Sequence, residues 1–141
     1  MAIELYWDNE EKNVMLCEIS APWTWEQLFV MLEKIKKVTD NSTQTIGAIL
    51  DLSAGVNIPG GSIFNPTVFN YAKKMFQMGE GGTGPIVVVG ASPMIRTVYN
   101  AALTIDRQKL SNFDFAKTLD EGRALMNTRI QQAVYAPKNA L

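Results

Sequence analysis

Two short apolar runs constrain the fold of this chain more than any other feature. The runs "TIGAILDLS" (45–53) and "PIVVVGA" (85–91) are apolar at consecutive positions. They lack the alternation of apolar and polar residues that is typical of a strand with one solvent-exposed face. Strands of a parallel sheet have this pattern because helices cover both of their faces. Each run therefore predicts a central strand of an α/β sheet.

The segments around these runs predict the other elements. Near the start, "IELYWD" alternates between apolar and polar residues, and "VMLCEIS" follows a polar turn, so the two predict an antiparallel hairpin. Another short strand is predicted at "NFDFA". Helices are predicted to begin after four capping residues, namely Thr24, Asn65, Ser92 and Thr118.

Two of these helix starts also carry the spacing of a capping box, Thr24 with Gln27 and Thr118 with Glu121. The resulting order, ββαβαβαβα, predicts a single-domain α/β fold with a mixed five-stranded sheet and about four helices. We expect the domain to occupy residues 1–132 and residues 133–141 to form a C-terminal tail.

Composition and charge exclude several classes of function. The formal net charge is -1, which argues against a general nucleic-acid or anionic-membrane binder. No apolar run approaches the ~20 residues of a membrane span. The N-terminal "MAIELYWDNEEK" also lacks the pattern of a signal peptide. We therefore expect a soluble cytoplasmic protein.

The inventory of reactive side chains argues against catalysis. The chain has no histidine, which removes the commonest general base and the commonest metal ligand. Cys17 is the single cysteine and lies in an apolar run, so we expect it to be a core residue. The carboxylates are scattered and form no recognisable pair. We expect no enzymatic activity, no metal and no cofactor.

The candidate site follows the first central strand, in "AILDLSAGVNIPGGSIFNPTV" (48–68). The carboxyl ends of parallel strands are where α/β proteins bind ligands. Asp51 ends the strand and either acts on a ligand, by coordinating a cation or orienting a substrate, or bonds nearby loop amides. Ser62 follows Gly60 and Gly61, so its hydroxyl is expected to be exposed. The loop thus holds a ligand, carries a modifiable serine or only turns the chain.

Two other segments invite a phosphate-binding interpretation. "VVVGASPMIR" has the strand–turn–helix context in which backbone amides of residues 92–95 and Arg96 hold an anion. Ser92 as a simple helix cap explains the same residues and is favoured. "GEGGTG" precedes a strand instead of following one, so it predicts a linker.

Several of these stretches together resemble the STAS domain. They are the "AILDLS" strand with its loop and helix, "PIVVVGA", the Trp-Thr-Trp helix start and the ending "FDFAKTLDEGRAL". The chain looks most like the small stand-alone STAS-like proteins of bacteria. In phospho-regulated members, a loop bearing Asp-Ser-Ser/Thr-Gly follows the Asp-Leu-Ser strand, and a partner kinase modifies its serine. Here the corresponding "NIPGGSIFNP" lacks that Asp, and Ser62 is the hydroxyl that matches.

The resemblance implies a non-enzymatic regulatory module, like the anti-sigma-factor antagonists, that binds a protein partner and is switched at this loop. The alternative is a small-molecule binding protein of the same fold. An anionic or lipid-like ligand would then lie between Ser62, Arg96 and the strand ends at Asp51 and Gly90. A homodimer is compatible with both functions. The predicted contact residues are Asp51, Asn57, Ile58, Gly60, Gly61, Ser62, Phe64 and Arg96.

Overall fold

The computed structural model describes residues 3–54, 65–80, 84–90, 100 and 113–135. Of the helix predicted to begin after Ser92, Asn100 is the one described residue, and it is helical; the rest lies outside these residues. The described elements, in chain order, are β1 (Ile3–Trp7), β2 (Val14–Ile19), α1 (Trp25–Asp40), β3 (Gly47–Asp51), α2 (Pro66–Glu80), β4 (Ile86–Val89), β5 (Phe113–Ala116) and α3 (Leu119–Tyr135).

The five strands form one sheet in the order β1-β2-β3-β4-β5, which confirms the predicted α/β fold with a mixed five-stranded sheet. β1 is antiparallel to β2, and all the other neighbouring pairs are parallel. β3 and β4, which contain the two apolar runs, lie in the interior of the sheet as predicted. Parallel strands need crossover connections, so each helix between them must run back from the carboxyl edge to the amino edge.

The start of α1 is fixed by the predicted capping box. The backbone N–H of Gln27 donates to Thr24 Oγ1 at 3.1 Å, and the backbone N–H of Thr24 donates to Gln27 Oε1 at 3.0 Å. Trp23, just before the cap, is buried and packs edge-to-face against Trp25, with ring centroids 5.1 Å apart. The cap therefore sets both where the helix begins and how the chain enters the core.

The other two helices also start at their predicted caps. Asn65 Oδ1 accepts the backbone N–H of Thr67 at 2.9 Å at the start of α2. Thr118 Oγ1 accepts the backbone N–H of Glu121 at 3.2 Å at the start of α3. The Glu121 carboxylate reaches the backbone N–H of Lys117, one residue before the cap, instead of closing the reciprocal bond to Thr118.

The core has two layers, one on each face of the sheet. Along β3, successive side chains alternate between the layers, so Leu50 packs with α1 and α2 while Ile49 packs with α3. The same holds along β4 for Val88 and Val87. All four side chains are buried. This two-sided burial is the physical reason for the uninterrupted apolar runs in the sequence.

Two glycines let α3 approach the sheet closely. A Cβ on Gly122 would lie 2.7 Å from Val89 Cγ2, and a Cβ on Gly47 would collide with the Met126 sulfur. Met126 is fully buried between the helix and the sheet. Because each glycine leaves room for the side chain opposite it, Met126 or Val89, α3 packs closely on β3 and β4.

The two core layers predict the response to truncation. Ile49→Ala and Val88→Ala should each lower the free energy of unfolding by about 2–4 kcal/mol, because each removes fully buried methyl groups and leaves a cavity. Val30→Ala on the outer face of α1, where Val30 is 66% exposed, is the control and should change stability by less than about 0.5 kcal/mol. Chemical denaturation measures all three. Values below about 0.5 kcal/mol for both core variants would contradict the assignment.

Candidate functional site

The candidate site lies at the carboxyl edge of the parallel strands. β3 ends there at Asp51, and β4 ends there just before Gly90. The capped N-termini of α1, α2 and α3 meet the same edge because each helix follows a strand and runs back across the sheet. Their exposed backbone amides give this edge a partial positive charge.

The carboxylate of Asp51 is used to close a turn. Its Oδ1 accepts the backbone N–H of Ser53 at 2.9 Å, and the side chain is half-buried. The next residue, Leu52, donates its backbone N–H to the carbonyl of Val89 at 2.9 Å, which ties the turn to β4. Of the two roles considered for Asp51, the structure describes the bond to a loop amide.

Gly90 completes this turn from the neighbouring strand. Its φ of 72° lies in the left-handed region, and its N–H donates to the carbonyl of Ala116 at 3.0 Å. A Cβ at this position would lie 2.9 Å from Ser53 Oγ and 3.0 Å from the Ser53 backbone N. The two strand ends therefore meet through Ser53 and Gly90. Sequence analysis did not assign Ser53 a role, although it follows the Asp-Leu pair that ends the strand.

The structure brings Asp51 and Gly90 together at this edge, as the sequence predicted for the strand ends. The other predicted contact residues stay predictions because they lie outside the described residues: Asn57, Ile58, Gly60, Gly61, Ser62, Phe64 and Arg96.

A second polar feature joins α3 to the N-terminal hairpin. Arg123 donates from Nη2 to Asp8 Oδ1 at 2.8 Å and from Nε to Asp8 Oδ2 at 3.0 Å. This hydrogen bond raises the pKa of Arg123, and the nearby carboxylates of Asp8, Asp120 and Asp51 raise it further. Sequence analysis missed the pair because its members are 115 residues apart and no local pattern links them.

The ion pair borders a cleft of about 190 Å³. The cleft is lined by Asp8, Asn9, Val14, Ile49, Arg123, Met126 and Asn127. Drug-sized ligands occupy pockets of roughly 300–1,000 Å³, so this cleft is too small for one. Arg129 makes a similar two-bond pair with Asp114, at 2.7 and 3.0 Å, which fixes α3 to β5.

The single cysteine is buried and unreactive in the folded chain. Cys17 has no exposed surface, and burial raises the pKa of its thiol to about 12, so the reactive thiolate does not form near neutral pH. Among the described residues, no three acidic, cysteine or histidine side chains are arranged to hold a metal ion. In that same part of the chain, no helix combines the length and apolarity needed to cross a bilayer.

Comparison with known proteins identifies the fold. No protein-family model matches the chain, and no curated protein matches its sequence. Among solved structures, it is similar to a serine-to-glutamate variant of RsbS from Moorella thermoacetica, with a TM-score of 0.55. The likeness covers 91% of this chain and 97% of the RsbS chain, at 15% sequence identity. The chain has the STAS fold.

The fold likeness confirms the resemblance derived from the sequence motifs. At 15% identity the likeness establishes the architecture. In the STAS fold of this chain, the turn that carries Asp51 and Ser53 leads into the loop where the sequence places the switch.

The turn bond at Asp51 predicts different effects for two substitutions. Asp51→Ala removes the acceptor for the Ser53 N–H and should lower the free energy of unfolding by about 1 kcal/mol. Asp51→Asn keeps an oxygen in the same place and should lose less than about half of that. Chemical denaturation provides the comparison. A substrate screen in which Asp51→Asn abolished a turnover seen in the wild type would contradict the structural role.

Burial of Cys17 predicts that a thiol reagent reacts only when the protein opens. We expect labelling of the native chain to be at least about a hundredfold slower than labelling in denaturant. Val30→Cys supplies an exposed control thiol that should react at once. Because the thiol pKa rises from 9.0 to about 12 on folding, Cys17 should also destabilise the fold progressively across that alkaline range. Rapid labelling of native Cys17 would place it outside the core.

Proposed function

We propose that this chain is a non-enzymatic regulatory module that binds a protein partner through the loop after β3, residues 57–64, and the adjacent face of α2. Proteins of the family that its motifs resemble work in this way. The observation that carries the proposal is the bond from Ser53 to Asp51, which uses the strand-end carboxylate to shape the base of the loop. A catalytic carboxylate would instead be directed toward substrate.

The two ends of the loop support a role in contact. On one side, Ser53 and Ala54 are exposed just after the turn. On the other side, Asn65 is exposed and caps α2, with Phe69 37% exposed one turn later. An exposed aromatic ring at the start of a helix suits recognition of a protein surface. Both ends of the loop therefore lie at the carboxyl edge, beside surface that a partner can reach.

The partial positive charge of the carboxyl edge is compatible with the proposed phosphorylation switch at Ser62. Three helix N-termini face the edge, so an added negative group near it is tolerated by the fold. A phosphate adds about -1.5 to -2 charge at neutral pH. We expect such a group to change partner binding without unfolding the protein, because it alters the surface potential and not the core.

The small-molecule alternative has weaker support. The cleft bordered by Asp8 and Arg123 lies away from the carboxyl edge and is too small for a drug-sized ligand. Within the described part of the edge, the polar groups of Asp51 and Gly90 bond within the protein. The site named for such a ligand also includes Ser62 and Arg96, which lie outside the described residues.

The proposal predicts that charge at Ser62 affects binding far more than stability. Ser62→Asp should shift the melting midpoint by no more than about one or two degrees. It should reduce recovery of the partner from a native-host lysate at least about tenfold, or roughly 1.4 kcal/mol, as measured by quantitative mass spectrometry.

Two matched variants complete this experiment. Ser62→Ala removes the hydroxyl without adding charge, so any phosphorylated fraction should disappear while unmodified binding remains. Asn127→Asp adds the same charge on the exposed surface of α3 and should leave partner recovery unchanged. Unchanged recovery with Ser62→Asp, together with a large loss of stability, would show that the loop only turns the chain.

A further inference from the structure

β1 ends the sheet and has one free edge within the described structure. Its other edge pairs with β2, and the backbone N–H of Asp8 donates to the carbonyl of Val14 at 2.8 Å. In an antiparallel ladder, hydrogen-bonded pairs alternate along the strand, so Glu4 and Tyr6 also direct their backbone groups at β2. The backbone groups of the three odd positions, Ile3, Leu5 and Trp7, therefore point outward.

Within the described structure, this free edge has little of the usual protection against pairing with another strand, since Glu4 is the one charged residue of β1. Natural edge strands carry lysine, proline or a bulge that disfavours such pairing. β1 reads "IELYW" and contains no lysine, arginine or proline. Tyr6 and Trp7 lie on its opposite faces and are 41% and 37% exposed. A sheet edge with exposed aromatic rings on both faces is suited to accept another strand.

The strand is complementary to itself in one antiparallel register. Pairing centred on Leu5 places Ile3 against Trp7 of the second copy and Glu4 against the second copy's Tyr6. It also joins the outward-facing backbone groups of all three odd positions.

The two neighbouring registers are less favourable. One of them places Glu4 opposite Glu4 of the second copy, and the other places Glu4 opposite the second copy's Asp8. Like charges directly opposite one another destabilise a strand pair. Only the register centred on Leu5 avoids facing carboxylates while using the whole of β1.

We propose that β1 pairs antiparallel with β1 of a second copy of this chain, centred on Leu5, to form a twofold dimer with a continuous ten-stranded sheet. The surface is distinct from the carboxyl edge assigned to partner binding. Because an antiparallel pair reverses the strand direction, the carboxyl edges of the two copies point in opposite directions. Each copy therefore keeps its own edge open to a partner.

Substitutions of opposite charge at Tyr6 test the register. In the dimer, Tyr6→Glu places a second carboxylate opposite Glu4 in two symmetric pairs, and Tyr6→Lys places an ammonium there. We expect Tyr6→Glu to weaken self-association about three- to tenfold and Tyr6→Lys to strengthen it by a similar factor. Sedimentation equilibrium on the full chain, over a concentration series, gives the dissociation constants.

Two controls separate the interface from a general effect of charge or stability. Val30→Glu adds the same charge at an exposed apolar site on α1 and should leave association unchanged. The double substitution Tyr6→Glu with Glu4→Lys restores opposite charges across the pair and should return association to at least the wild-type strength. Denaturation curves confirm that each variant is folded. A wild type that stays monomeric throughout, equal effects of the two Tyr6 variants, or an equal loss with Val30→Glu would overturn the proposal.

Discussion

The pairing of β3 with β4, with apolar side chains buried on both faces of the pair, is the constraint on which the rest of the structure depends. Inside the protein, every backbone N–H and C=O of these strands needs a partner, so each strand requires a neighbour on either side. β2 and β5 supply those neighbours. The two apolar faces require cover, which α1 and α2 provide on one side and α3 on the other. The carboxyl edge, with its turn and its helix starts, follows from this arrangement.

Local patterns were sufficient to predict the elements that local physics determines. The apolar runs of β3 and β4 and the Thr24–Gln27 box each depend on residues that are close in sequence, and the structure confirms them. The ion pair of Asp8 with Arg123 depends on the final packing of α3 and could not be predicted. The choice between the two roles of Asp51 also required coordinates, because a carboxylate at a strand end has the same sequence pattern in both.

The candidate site likewise has features that the sequence predicts and features that it does not. Its base is formed by Asp51, Ser53 and Gly90. The backbone geometry that joins these residues has no recognisable pattern in a single sequence. Its position at the carboxyl edge was predictable because topology alone places it there. The identity of the contact residues in the loop depends on recognition and not on folding, so neither hydrophobic pattern nor burial selects them. Family resemblance was the one source of expectation for Ser62, and the fold likeness to RsbS supports that resemblance at the level of architecture.

The two-bond contact between Arg123 and Asp8 has a mechanical consequence. Arg123 projects from α3, which lies on β3 and β4, and it reaches the end of β1 at the margin of the sheet. The contact therefore crosses over β2, which lies between β1 and β3. A partly exposed ion pair contributes little energy, about 1 kcal/mol at most. Separation of the hairpin from α3 nevertheless breaks both of these hydrogen bonds at once.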